Sequence, residues 1–167
     1  HIHTATLLNN GRVLIVGGWV ASPPLYGLAS AELYDPLTGT FTATSDMTGG
    51  WSGPTATLLP EGKVLVSSAY DGDARRETYD PRTGTFTHKN TTARDYYFYW
   101  HTTSLLPDGT VLIAGGGDAD EGFWLASAGI YDPGTGTVAA TGNMTTSRGT
   151  HAATVLLDGT VLLTGGE

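Results

Sequence analysis

The side chains best equipped for chemistry crowd into residues 95–101, DYYFYWH, where five consecutive aromatic rings stand between Asp95 and His101. A carboxylate, several phenols and an imidazole within one short stretch can exchange protons or hydrogen-bond a ligand. The ring faces can stack against an apolar plane. Elsewhere stand three more tryptophans, Trp19, Trp51 and Trp124, together with Tyr70 and two arginines, Arg94 and Arg148. A guanidinium binds a carboxylate through two parallel hydrogen bonds, so the arginines are candidates for reading acidic groups. These residues lie far apart in the chain, and the fold must decide whether they meet.

Composition narrows the options. The chain has 167 residues, 40% of them hydrophobic and 14% charged, which fits one globular domain with a real core. It holds 24 glycines and no cysteine. Dispersed glycine implies many turns and close backbone approaches. Absence of cysteine removes disulfide scaffolds, thiolate zinc sites and thiol nucleophiles. A formal charge of −8 opposes binding to a phosphate backbone, so no nucleic-acid partner is expected. No apolar run has the length of a membrane helix, and no signal peptide precedes His1, so a mature or excised chain is expected.

The organising feature is a repeat. HTATLLNNGRVLIVGG (3–18) aligns with PTATLLPEGKVLVSSA (54–69), HTTSLLPDGTVLIAGG (101–116) and HAATVLLDGTVLLTGG (151–166). The first three copies are followed by YDPLTGTFT (34–42), YDPRTGTFT (79–87) and YDPGTGTVA (131–139). Asn-Gly, Glu-Gly or Asp-Gly between two apolar runs supplies the positive φ of a tight hairpin. Asp-Pro-x-Thr-Gly marks a second turn, and no segment has a helical period. Each repeat therefore predicts four short strands, a to d. Units of this size are the signature of β-propeller blades.

The segments LLPDGTVLIAGG and YDPGTGT also resemble kelch repeats. The resemblance runs the length of the chain, through Gly17–Gly18, Gly115–Gly116, Gly165–Gly166, Tyr34, Tyr79 and Tyr131; Ser68–Ala69 departs from the glycine pair. It implies an all-β, kelch-type β-propeller: a partial ring of three complete four-stranded blades plus a half blade, in one segment spanning residues 1–167. Such an arc leaves faces that must meet something, either the remaining blades of a longer chain or other copies in a homo-oligomer.

Comparison of the copies separates two faces. The a–b and c–d turns keep one length, whereas the b–c and d–a connections vary. In an antiparallel blade those two sets leave opposite ends. All four tryptophans, the DYYFYWH run and both arginines fall in variable connections, where functional residues tend to sit. Alternation along an extended path sends Tyr96, Phe98 and Trp100 one way and Tyr97 and Tyr99 the other, one set into packing and one outward. The expected ligand-binding residues are Trp19, Trp51, Tyr70, Arg94, Asp95, Tyr97, Tyr99, Trp100, His101, Trp124 and Arg148. Aromatic plates beside carboxylates suit sugar rings, and the same equipment suits a protein.

Other chemistry fares less well. His3, His101 and His151 hold one repeat position and suggest a metal site. The resemblance favours a structural role instead, since kelch repeats often place Arg shortly before His, as in Arg148-Gly-Thr-His151. The acidic segments Asp71–Asp73 and Asp118–Glu121 match no calcium loop. No cofactor is expected. Galactose oxidase shares the repeat, and the Cys–Tyr crosslink it needs is excluded in this segment. A lyase-like pair drawn from Tyr96, Tyr97, Tyr99 and His101 is a lesser alternative. The expectation is a non-enzymatic recognition module for carbohydrate or protein, in an extracellular or cell-surface setting. A structural, self-assembling arc is the runner-up.

Overall fold

Each repeat folds outward from its a–b turn, and the four turns are nearly superimposable in their hydrogen bonding. Leu8, Leu59, Leu106 and Leu156 each donate their amide at 2.8 Å to the carbonyl four residues on, at Arg12, Lys63, Thr110 and Thr160. Gly11, Gly62, Gly109 and Gly159 close the turns at φ of 81°, 83°, 86° and 84°, a region L-residues avoid. The computed structural model describes residues 2–20, 26–51, 53–70, 73–88, 99–117 and 122–167, with Tyr26, Ala69, Tyr70, Asp73 and Ala74 described by backbone alone.

In the first repeat, β1 (Thr4–Leu7) and β2 (Val13–Val16) form the a–b hairpin. A two-stranded ribbon follows, β3 (Trp19–Val20) with β4 (Tyr26–Gly27), and then β5 (Ala31–Asp35) and β6 (Thr40–Ala43) as strands c and d. The second repeat supplies β7 (Thr55–Leu58), β8 (Val64–Tyr70), β9 (Asp73–Asp80) and β10 (Thr85–His88). The third supplies β11 (Thr102–Leu105), β12 (Val111–Ala114), β13 (Ala128–Asp132) and β14 (Thr137–Ala140), and the last β15 (Ala152–Val155) and β16 (Val161–Thr164). Among the described residues these form three four-stranded sheets in the order a-b-c-d and two two-stranded sheets, β15–β16 and the β3–β4 ribbon. The fold is all-β: three kelch-type propeller blades and a half blade, with no sheet closed on itself.

The c–d turns are as uniform as the a–b turns. Asp35, Asp80 and Asp132 each accept the amide two residues on, from Leu37, Arg82 and Gly134, at 3.0, 2.9 and 2.8 Å. Their carbonyls take the amides of Gly39, Gly84 and Gly136, each at 2.8 Å. Short carboxylates that bond their own backbone two residues on are what fixes such turns. The glycine pairs end strand b: Gly17 and Gly18 have φ of 68° and 117°, and Gly115 and Gly116 have 64° and 101°. Where Ser68–Ala69 stands instead, the chain stays extended and β8 runs on to Tyr70. The departure from the pattern lengthens that strand.

The chain divides into two compact units, His1–Ser68 with Arg75–Asn90, and Ala69–Ala74 with Thr91–Glu167. In the first, the two blades bury one face against another. Leu8, Leu14, Val16 and Ala31 of the first blade pack with Val64, Val66 and Tyr79 of the second, together with Met47 and Trp51. Burial of each such side chain contributes about 1.5–3 kcal/mol. Tyr79 Oη and Thr44 Oγ1 lie 2.9 Å apart and join the blades at their outer strands. Glu77, 1% exposed, accepts hydrogen bonds from the Thr48 amide and hydroxyl, so its charge is not left bare. In the second unit Val111, Ile113, Ala114, Ala128 and Tyr131 are buried in the same repeat positions.

Candidate functional site

The aromatic cluster is built on backbone. Tyr99 and Gly117 exchange amide-to-carbonyl bonds at 3.2 and 2.7 Å, which ties the segment entering β11 to the segment leaving β12. Leu125 donates to Gly116, Gly116 to Arg148, and Arg148 to Leu125. Thr150 donates to the Trp100 carbonyl at 3.1 Å, and Gly149 exchanges bonds with Glu167. Connections of variable length from two successive repeats are thus laced together by main chain, independent of their side chains.

On that lattice sit the rings. Trp124 lies over two glycines: a β-carbon at Gly117 would come within 2.9 Å of the indole, and one at Gly149 within 2.1 Å. The glycines are the space the ring occupies. Trp100 meets Trp124 edge-on, centroids 5.7 Å apart and planes at 70°, and meets Tyr99 at 5.6 Å. Edge-to-face contact is the favourable arrangement for aromatic quadrupoles. Trp100 remains 45% exposed, and Phe123, next to Trp124 in the chain, is 48% exposed. Trp100 also holds φ at +57°, a conformation that costs a bulky residue about 1–2 kcal/mol. Such strain at an exposed ring points to function when packing over-determines it.

His101 and His151 are buried, 4% and 6% exposed. His151 Nε2 lies 2.9 Å from Thr102 Oγ1, joining strand a of one blade to strand a of the next. Burial, and secondarily the Arg148 cation, hold the His151 imidazole below its ordinary value. Arg148 itself donates to the Gly165 carbonyl at 2.8 Å. His3 is exposed in the other unit. Among the described residues no group of three or more His, Asp or Glu is placed to hold a metal ion.

The remaining sequence expectations divide. Tyr99, Trp100, Trp124, His101 and Arg148 come together in this unit. Trp51 does not present a plate: it is 0% exposed and belongs to the core of the first unit, in one cluster with Leu14 and Val16. That corrects its assignment as a ligand-facing ring. Trp51 occupies the hydrogen-bonding slot that Arg148 fills one repeat pair later, its amide to Leu28 and its carbonyl to Gly18. Trp19 is half-buried in the β3–β4 ribbon of the first unit. His101 is too buried to offer its ring to a ligand without rearrangement. Arg94, Asp95 and Tyr97 lie outside the described residues, as do Tyr96, Phe98, Asp71, Asp118, Asp120 and Glu121 and the side chain of Tyr70.

Two clefts of the first unit open at the opposite, fixed-turn end, one lined by Asn9, Glu61, Asp80 and Arg82 and one by Arg12, Asp35 and Leu37. Sequence reading missed Thr48 and Glu77 as a latch between blades. The recurrence of Met-Thr at 47–48 and 144–145 was the available signal: Met47 and Met144 donate equivalent amide bonds to Ala29 and Ala126.

Blades of this strand order, with fixed turns at one end and tied variable connections at the other, define a kelch-type propeller scaffold. A family model described as "Kelch motif" matches residues 3–48, the whole of the first blade, and supports the kelch resemblance read from the repeats. No curated protein matches the chain.

Proposed function

We propose that this chain is a non-enzymatic recognition module whose ligand stacks on the outer face of Trp100, and that the ligand is a carbohydrate. The observation that carries the reading is the exposed indole of Trp100, held at a strained φ and braced by Trp124 and Tyr99. A rigid aromatic plate matches the apolar face formed by the axial C–H groups of a sugar ring. Kelch repeats generally serve binding, which supports the broader reading. An extracellular or cell-surface setting is part of this proposal.

A glycan array and a peptide array, each probed with the wild-type chain and with Trp100→Ala, test it. Glycan signals that vanish in the variant are expected. Glycan binding unchanged by the substitution, or signal on the peptide array alone, would overturn the carbohydrate assignment.

A further inference from the structure

Strand β9 starts earlier in its repeat than its counterparts. Tyr79–Asp80 end it as Tyr34–Asp35 and Tyr131–Asp132 end β5 and β13, but those strands begin at Ala31 and Ala128, the position of Arg76. The extra residues accompany the exchange of a glycine pair for Ser68–Ala69, which lengthens β8. They place Arg75 in the strand, where the other complete repeats have Ser30 and Ser127. Arg75, Glu77 and Tyr79 alternate onto one side of β9. Tyr79 Oη lies 2.9 Å from Thr44 Oγ1, and Glu77 accepts the Thr48 amide at 3.0 Å. Arg75 is next in the row, and a β-carbon at Gly49 would lie 3.0 Å from its Nη1. That same β-carbon would lie 3.5 Å from Trp51 Nε1, so the two donors flank one point. Among the described residues neither has an acceptor: the guanidinium is half-buried without an ion pair, and the indole N–H is buried without a hydrogen bond.

We propose that Arg75 and Trp51 Nε1 form a binding site for one carboxylate group in the first unit. With 16 Asp and Glu against 8 Lys and Arg, the chain has acids in plenty, yet none of the described ones pairs with this arginine. Glu77, two residues on, is taken up by Thr48. Two convergent donors, one of them charged, call for an anion. The planar guanidinium fork matches a planar carboxylate through two parallel bonds. A net charge of −8 repels multiply charged anions more strongly than a singly charged one. Gly49 lies outside the left-handed region, so what its missing β-carbon supplies is room beside the two donors. As the carboxylate binds, the Arg75 side chain moves off Gly49 and one oxygen accepts the indole N–H. The Trp51 ring stays in the core and only its N–H gains a partner, which removes a buried unmade bond that costs about 1–3 kcal/mol. The site stands whether or not Trp100 stacks on a sugar.

Indole N–H signals in ¹⁵N–¹H NMR at constant ionic strength test this, with sodium acetate as the probe and chloride and phosphate as controls. The Trp51 signal, identified by its loss in Trp51→Phe, should shift saturably with acetate. Arg75→Gln should weaken the response about tenfold or more, as for loss of a hydrogen bond to a charged group. Arg75→Lys should restore part of it. Gly49→Ala keeps both donors but fills the room beside them, and it should weaken the response too. Methyl glucuronoside and N-acetylglutamate amide are titrated in parallel, and the one that saturates at lower concentration names the source of the carboxylate. No saturable shift with any of the three carboxylates, a shift unchanged in Arg75→Gln, or an equal shift with chloride or phosphate would each overturn the proposal. Thermal melts accompany every variant, and Gly49→Ala carries the test should Arg75→Gln fail to fold.

Discussion

The six-membered ring of Trp124 lies against the backbone of Gly149, so close that a β-carbon there would fall 2.1 Å from it. The ring and the glycine come from different connections, after β12 and before β15, and the contact sets how far Trp124 reaches toward Trp100. Gly149→Ala must push the indole aside. The expected cost is about 1–3 kcal/mol of stability, as for other overpacked sites, read from chemical denaturation. Ligand binding should fall with it, because the edge that braces Trp100 has moved.

Trp100 separates binding from folding. Its ring is half in solvent and its backbone is in the left-handed region. Trp100→Ala and Trp100→Gly should both abolish binding. The glycine variant should be the more stable of the two by about 1 kcal/mol, since only glycine adopts that φ without strain. Equal stability would show that the backbone relaxes once the ring is gone.

Trp51 should behave in the opposite way. It is fully buried, with its Nε1 unpaired among the core side chains of the first unit. Trp51→Ala should cost about 3–5 kcal/mol, the range for emptying an aromatic site. Trp51→Phe should cost much less, because it removes the unsatisfied donor along with part of the volume. Where the variants fold, binding should match wild type.

His151 predicts a pH dependence. Its imidazole is held below its ordinary value by burial and by Arg148. The unfolded chain therefore takes up a proton before the folded one does as pH falls through the ordinary histidine value. Stability contributed by the neutral ring is complete above that value and declines below it. Melting temperature should drop on acidification from about pH 7.5 to 5.5, with ordinary histidine titration near 6.5 as the reference. The drop should shrink in His151→Gln, which keeps a polar group within reach of Thr102.

Much of the fold was legible because turn chemistry is local. Asp-Gly and Asp-Pro-x-Thr-Gly specify their conformations within a few residues, so the four a–b turns and three c–d turns follow from sequence alone. The exchange of Gly17–Gly18 for Ser68–Ala69 was visible too, though the result, a longer β8, depends on a neighbouring strand able to extend with it. The site was less legible. Trp51 and Trp100 both sit in d–a connections and look alike in one dimension. What separates them is tertiary: the Trp51 ring is packed into the core of its unit at 0% exposure, whereas that of Trp100 is left 45% exposed. Likewise Glu77 reads as a surface acid on strand c until Thr48 is brought to it from the preceding connection.

The central claim, that Trp100 is the ligand plate, is tested most directly by following the four indole N–H signals in a ¹⁵N–¹H NMR titration with a glycan positive on the array. The account predicts that the Trp100 signal shifts first and furthest, with Trp124 following and Trp51 unmoved. Saturable binding that leaves the Trp100 signal in place would contradict it.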